Sequence, residues 1–152
     1  MPRKVFKEIV IESASTRVFE ALIKPNAICT WWSARSAIII ASIGGLYAVA
    51  WGEDMDDPDY INHSTISGLE ENKKLTLQHC DYLAKAERLP FEATFEVDFA
   101  LESIEKGTHL TVVQTGFPDD AIADHYFKGC QQGWEDVLKS IKSYCEKSLH
   151  SK

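Results

Sequence analysis

Gly107-Thr108-His109-Leu110-Thr111-Val112-Val113-Gln114-Thr115-Gly116-Phe117-Pro118 is the stretch whose reading decides the fold. The β-branched run Thr108 to Thr115 reads as a strand, and Gly116-Phe117-Pro118 stops it. A long amphipathic helix follows, predicted to start near Pro118-Asp119-Asp120, where two aspartates suit a helix N-terminus. Ile122, Tyr126, Cys130, Trp134, Val137, Ile141 and Cys145 fall on one broad face, with Leu138 at its edge. Lys128, Gln132, Glu135, Asp136, Lys139 and Lys142 occupy the other face. Gly129 and Gly133 flank the apolar face, and each costs roughly 1 kcal/mol relative to alanine in a helix interior. Close approach of a sheet would offset that cost, and so would the need for ligand space. One final helix after a series of strands predicts a curved sheet gripping it, a geometry that leaves a cavity.

Working back from this stretch, Phe91 to Glu102 has period-two alternation. Ala93, Phe95, Val97, Phe99 and Leu101 point one way and mostly acidic residues the other, as in a half-buried antiparallel strand. Lys106-Gly107 is the turn between these two strands. Tyr60 to Leu69 and Leu75 to Leu83 are strands joined by Glu70-Glu71-Asn72, with Ala84 to Pro90 as a loop. Leu46 to Trp51 is a strand reached from Ala37 to Ile40 through Gly44-Gly45. At the N-terminus, Lys4 to Glu12 is a strand. Ser13 or Ser15 is expected to cap a helix carrying Val18, Phe19, Leu22 and Ile23. Pro25 ends that helix, and Ala27 to Trp32 forms a short turn presenting Trp31-Trp32.

The 152 residues are read as one domain spanning 1–152, a size that buries roughly 70% of its unfolded surface. No apolar run approaches the roughly 20 residues that span a bilayer. The N-terminus has no secretory signal pattern, so a cytoplasmic location is expected. The net charge of −7 and the scattered basic residues argue against a nucleic-acid partner. Cys29, Cys80, Cys130 and Cys145 show no paired spacing, so free thiols are expected, with no disulfide and no zinc. The acidic tract Glu53 to Asp59 lacks the glycine and final glutamate of a calcium loop and reads as a solvated hairpin tip. No metal and no cofactor are expected.

The order strand, helix, short helix, about six strands, long helix now joins several short motifs. These are Phe19-x-Ala21-Leu22-x-x-Pro25, Trp31-Trp32, Gly44-Gly45, Leu75, Gly107-Thr108-x-Leu110, Gly116-Phe117 and Gly133-Trp134-x-x-x-Leu138. Together they resemble the START-like helix-grip (SRPBCC) superfamily, in the branch related to the C-terminal domain of the activator of heat-shock protein 90 ATPase. Ala41-Ser42-Ile43 stands where members often carry an aspartate, and His79 where an aromatic residue is common. The resemblance implies an α+β helix-grip fold: a curved antiparallel sheet of about seven strands around a long C-terminal helix, with two short helices after the first strand. It also implies an apolar cavity between sheet and helix. The superfamily includes lipid and hormone binders, aromatic cyclases and co-chaperone domains, so the fold does not fix the function.

The candidate pocket residues are the aromatics Trp31, Trp32, Tyr47, Trp51, Phe95, Phe117 and Trp134, with Gly133 beside them. Aromatics supply apolar area, and tryptophan adds a donor at a rim. Trp134 reads as core, and Trp31, Trp32 and Trp51 as pocket or entrance. Strict alternation from Leu75 through Leu77 places His79 and Asp81 on the concave face, with His63 on the neighbouring strand. Such groups orient a polar ligand or act as acid and base; the plain alternative is a pair at the wet end of the sheet. The expected function is non-catalytic binding of a small hydrophobic or amphipathic ligand. One rival is a chaperone-interacting module, which expects an accompanying N-terminal domain where this chain starts at its first strand. A second is a cyclase or dehydratase type of enzyme using His79, Asp81 or His63.

Overall fold

The computed structural model describes residues 3–54, 56–84 and 93–148. The strands are β1 (Arg3–Ile11), β2 (Ser36–Ile39), β3 (Leu46–Trp51), β4 (Tyr60–Glu70), β5 (Lys74–Ala84), β6 (Phe95–Ile104) and β7 (Gly107–Phe117). They form one antiparallel sheet of seven strands in the order β1-β7-β6-β5-β4-β3-β2. Helices α1 (Ser15–Ile23) and α2 (Pro25–Trp31) lie between β1 and β2, and α3 (Asp124–Ser148) ends the chain. This is the helix-grip architecture. The loop expected from Ala84 to Pro90 and the start of the strand expected from Phe91 lie outside the described residues, apart from Ala84 at the end of β5.

Alternation in the sequence becomes alternation of burial. Phe95, Val97, Phe99 and Leu101 are buried on β6, and Thr108, Leu110, Val112 and Gln114 on β7. Gly45 permits a close approach at the β2–β3 turn, where a Cβ would lie 1.9 Å from the carbonyl oxygen of Ile40. Gly116 holds φ +101, and a Cβ there would meet the Thr94 carbonyl oxygen at 2.1 Å. Both positions therefore need glycine.

Local expectations fail at two helix starts. Ala14, not a serine, is the N-cap of α1, and no side chain caps it. Ser15 Oγ instead bonds Ser103 Oγ and Thr108 Oγ1, and Thr108 Oγ1 donates to the Ser13 carbonyl. Pairing with β6 and β7 has won over local capping. The C-terminal helix begins later than expected, after a 3₁₀ turn at Ala121–Ala123, and Ile122 is exposed rather than on the buried face. Arg3 reaches across to this connector, pairing with Asp124 and donating to the carbonyls of Pro118 and Asp120. At the other end of β1, Lys142 Nζ donates to the Val10 carbonyl, and the Glu12 amide donates to Glu146. Thus α3 is tied to β1 near both ends, and β1 is the strand its backbone approaches most. Among the described residues no helix is long and apolar enough to cross a membrane.

Candidate functional site

A cavity of about 640 Å³ lies between the sheet and the N-terminal half of α3. That volume falls within the usual range for small-molecule sites. Tyr47 and Val49 of β3, Leu77 and Cys80 of β5, and Val97 and Phe99 of β6 give it an apolar floor. From α3 it is faced by Tyr126, Gly129, Cys130, Gly133, Trp134 and Val137, and Trp31 and Trp32 also line it.

The helix is divided along its length. Leu138, Ile141 and Cys145 are sealed into the core, while Tyr126, Cys130, Trp134 and Val137 stay half-buried. A Cβ added at Gly129 or Gly133 would meet nothing within 4 Å. Close approach of the sheet therefore does not account for these glycines, which face open space.

Four of the aromatic polar ends, those of Trp31, Tyr47, Trp51 and Trp134, are engaged by the protein. The last carbonyls of α1 have no partner within the helix. Trp31 Nε1 donates to the Ala21 carbonyl at 2.7 Å, and Tyr47 Oη to the Leu22 carbonyl at 2.6 Å. Burial pushes the Tyr47 phenol well above its ordinary pKa. Trp31 and Trp32 stack with centroids 5.0 Å apart. Trp51 meets Trp32 edge-on and donates its indole N–H to the Trp32 carbonyl. Trp134 Nε1 donates to Gln114 Oε1 at 2.7 Å, with its ring edge-on to Phe99.

Of the residues singled out in the sequence, Trp31, Trp32, Tyr47, Asp81, Phe95, Gly133 and Trp134 line the cavity. Trp51 stands behind Trp32 and does not. Phe117 packs against Phe95 and Phe127 in a separate cluster that closes the end of the sheet. Trp134 is not simple core, since it forms part of the wall. His79 is exposed with φ +55 and lies within a bulge between Leu77 and Cys80. The bulge reverses the parity of β5, so that Cys80 and Tyr82 take the inner side. His63 Nε2 and Asp81 Oδ2 stand 3.7 Å apart as a largely solvated pair, with Asp81 at the cavity rim. The inward His79 expected from strict alternation is thereby corrected, and Asp81 reaches the cavity only at its rim, because an inserted residue turns every following side chain over.

Sequence reading passed over Gln114, Cys80, Cys130 and Tyr126. A signal for Gln114 existed: it shares strand parity with Thr108, Leu110 and Val112, so alternation buries a polar side chain there. Burial is the leading cause that pushes the Cys80 and Cys130 thiols each up to about 11. All four cysteines are free. Among the described residues no group of three or more His, Cys, Asp or Glu side chains could hold a metal ion.

Comparison with known structures agrees with this architecture. A protein from Mesorhizobium loti superimposes with a TM-score of 0.77 at 19% identity, over 95% of this chain and 98% of its own. The Aha1 dimer structure from Colwellia psychrerythraea gives 0.70 at 17% identity, covering 95% and 96%. DynU16, a protein in the dynemicin biosynthetic locus, gives 0.75 at 16%, covering 95% of this chain and 48% of that one. Such identities establish the fold alone. No curated protein matches the sequence. The family model described as "Activator of Hsp90 ATPase homolog 1-like protein" matches residues 13–146, and the chain belongs to that family.

Proposed function

We propose that this protein binds a small hydrophobic or amphipathic molecule non-catalytically, between the sheet and α3, as one binding domain spanning 1–152. The observation that carries this reading is the open space at Gly129 and Gly133, facing a cavity of about 640 Å³. Each glycine weakens the helix by roughly 1 kcal/mol relative to alanine, and no packing constraint among the described residues requires either one. A ligand held against Trp32, Phe99 and Trp134 would lose apolar contact with water, and its binding would offset that weakness. Four free thiols fit a cytoplasmic setting. A chaperone partner rests on the family description and on the Aha1 relative, whereas the cavity rests on geometry. His63, His79 and Asp81 form no cluster inside the cavity, so nothing in its geometry favours a cyclase or dehydratase role for them.

The test is thermal unfolding and tryptophan fluorescence with a panel of neutral apolar probes. A bound probe at one hundred times its Kd stabilises the native state by about 2.7 kcal/mol and should quench Trp134 or Trp32. Gly133→Leu fills the space and should weaken binding at least tenfold without lowering stability. A panel that shifts nothing, with Gly133→Leu merely more stable, would mean a gap that no ligand uses.

A further inference from the structure

We propose that Gln114 is the specificity-determining group of the cavity, and that the ligand is an uncharged molecule presenting an oxygen acceptor to Gln114 Nε2. This inference rests on the binding reading above. The argument begins at Trp134. An indole N–H donates and cannot accept, so its 2.7 Å bond fixes which end of the Gln114 amide is oxygen. The NH₂ end is left over. Gln114 is only 5% exposed and lines the cavity. Among the described residues no protein group accepts from its Nε2. Three side-chain polar atoms there are sealed without a partner, Arg3 Nε, Ser13 Oγ and Arg17 Nε, and Gln114 Nε2 is not one of them. It therefore reaches open space, and the open space beside Gln114 is the cavity. The indole donors of Trp31, Trp51 and Trp134 and the Tyr47 hydroxyl are already used within the protein. Gln114 thus presents a deep donor among apolar walls.

Charge narrows the class further. Among the described residues the lining includes Asp81, Asp136 and His125, and no lysine or arginine. An anionic ligand would meet two carboxylates and, among the described residues, no lysine or arginine to pair with, which in a partly dry site is costly. A fatty-acid carboxylate is accordingly disfavoured, and a ketone, ester or amide carbonyl on an apolar body fits. A site built to hydrogen-bond one ligand group discriminates strongly against the analogue lacking it.

Fluorene and fluorenone differ by one carbonyl on nearly the same frame, and 9-fluorenecarboxylate adds the charge. Fluorescence titration of the wild-type protein should give fluorenone a roughly five- to tenfold lower Kd than fluorene, the value of one net hydrogen bond, with the carboxylate weakest. In Gln114→Met the fluorenone advantage should vanish while fluorene binding stays within about twofold. Infrared spectra should place the bound ketone C=O stretch at lower frequency in wild type than in the variant, a shift that mere loss of packing does not produce. Gln114→Glu keeps an oxygen for Trp134; studied at pH 9 it stands in if the methionine variant does not fold, and it too should lose the ketone preference. Equal binding of fluorene and fluorenone, or a preference that survives both substitutions, overturns the Gln114 assignment and leaves the cavity reading intact. If neither compound nor any panel probe binds, the cavity reading itself fails, and this inference with it.

Discussion

At the scale of single residues, His79 shows how one backbone angle redirects a surface. Its φ of +55 lies in the left-handed region, which glycine and asparagine tolerate and β-branched residues do not. The residue is exposed, so its importance lies in the main chain and not in the imidazole. His79→Val should destabilise the fold by about 1–2 kcal/mol, and His79→Asn should be close to neutral, both read from urea denaturation midpoints. Equal losses in the two variants would show that the imidazole itself is what the fold needs. This angle also explains why the site was only half legible in the sequence. Alternation is correct from Leu75 to Leu77, and nothing in Gln78-His79-Cys80 announces an inserted residue, since no glycine marks the bulge. Strict alternation therefore directs Cys80 and Tyr82 away from the cavity, and His79 and Asp81 toward it. Gln114 was legible in principle, because β7 has no break between Thr108 and Gln114 that could reverse its parity.

At the scale of elements, α3 combines two functions that its sequence pattern does not separate. The apolar face was readable from Tyr126 to Cys145 because helical periodicity depends only on local spacing. Which part of that face meets core and which meets a cavity depends on where the sheet curves away, and that is set by distant residues. The late start of the helix has the same origin. Arg3 holds the Pro118 to Asp124 connector from the far end of the chain, beyond the reach of any local capping rule. The division predicts a dissociation of stability from binding. Ile141→Ala removes a fully buried side chain and should cost about 3 kcal/mol, with probe binding unchanged in the protein that remains folded. Trp134→Ala removes a half-buried wall. Its stability loss should fall below the roughly 3–5 kcal/mol of a sealed tryptophan, while binding weakens more than tenfold. The same rank order in both variants, with stability and binding falling together, would mean that the helix acts as one packed unit.

At the scale of the whole molecule, the interior is built to hold neutral thiols and phenols, and this sets the pH range of stability. Burial is the leading cause that pushes Cys80, Cys130 and Cys145 each up to about 11, and Tyr47 and Tyr126 rise for the same reason. In the unfolded chain these thiols titrate near 8.5. Above that pH the unfolded state therefore holds fewer protons than the native state, so stability falls as pH rises. The contribution is complete below about 8.5 and is lost progressively toward 11. Glu146 acts in the opposite direction. The Glu12 amide and Lys142 hold its carboxyl below the ordinary range, so its contribution is present at neutral pH and lost as the solution becomes acid. A plateau through neutrality with a decline on each side is the expected profile, and the alkaline limb should be the steeper because several groups share it. Urea midpoints measured from pH 6 to 10.5 should stay level to about 8.5 and then drop, and Cys130→Ala should flatten the drop. Alkylation provides an independent reading, because the thiolate is the reactive form. Cys80 and Cys130 should react with iodoacetamide far more slowly at pH 8 than an unfolded cysteine does, and a bound neutral probe should slow them further. A midpoint that holds level to pH 10.5, with both thiols alkylated at the unfolded rate, would mean that the cavity is open to water and that its floor does not desolvate what it touches.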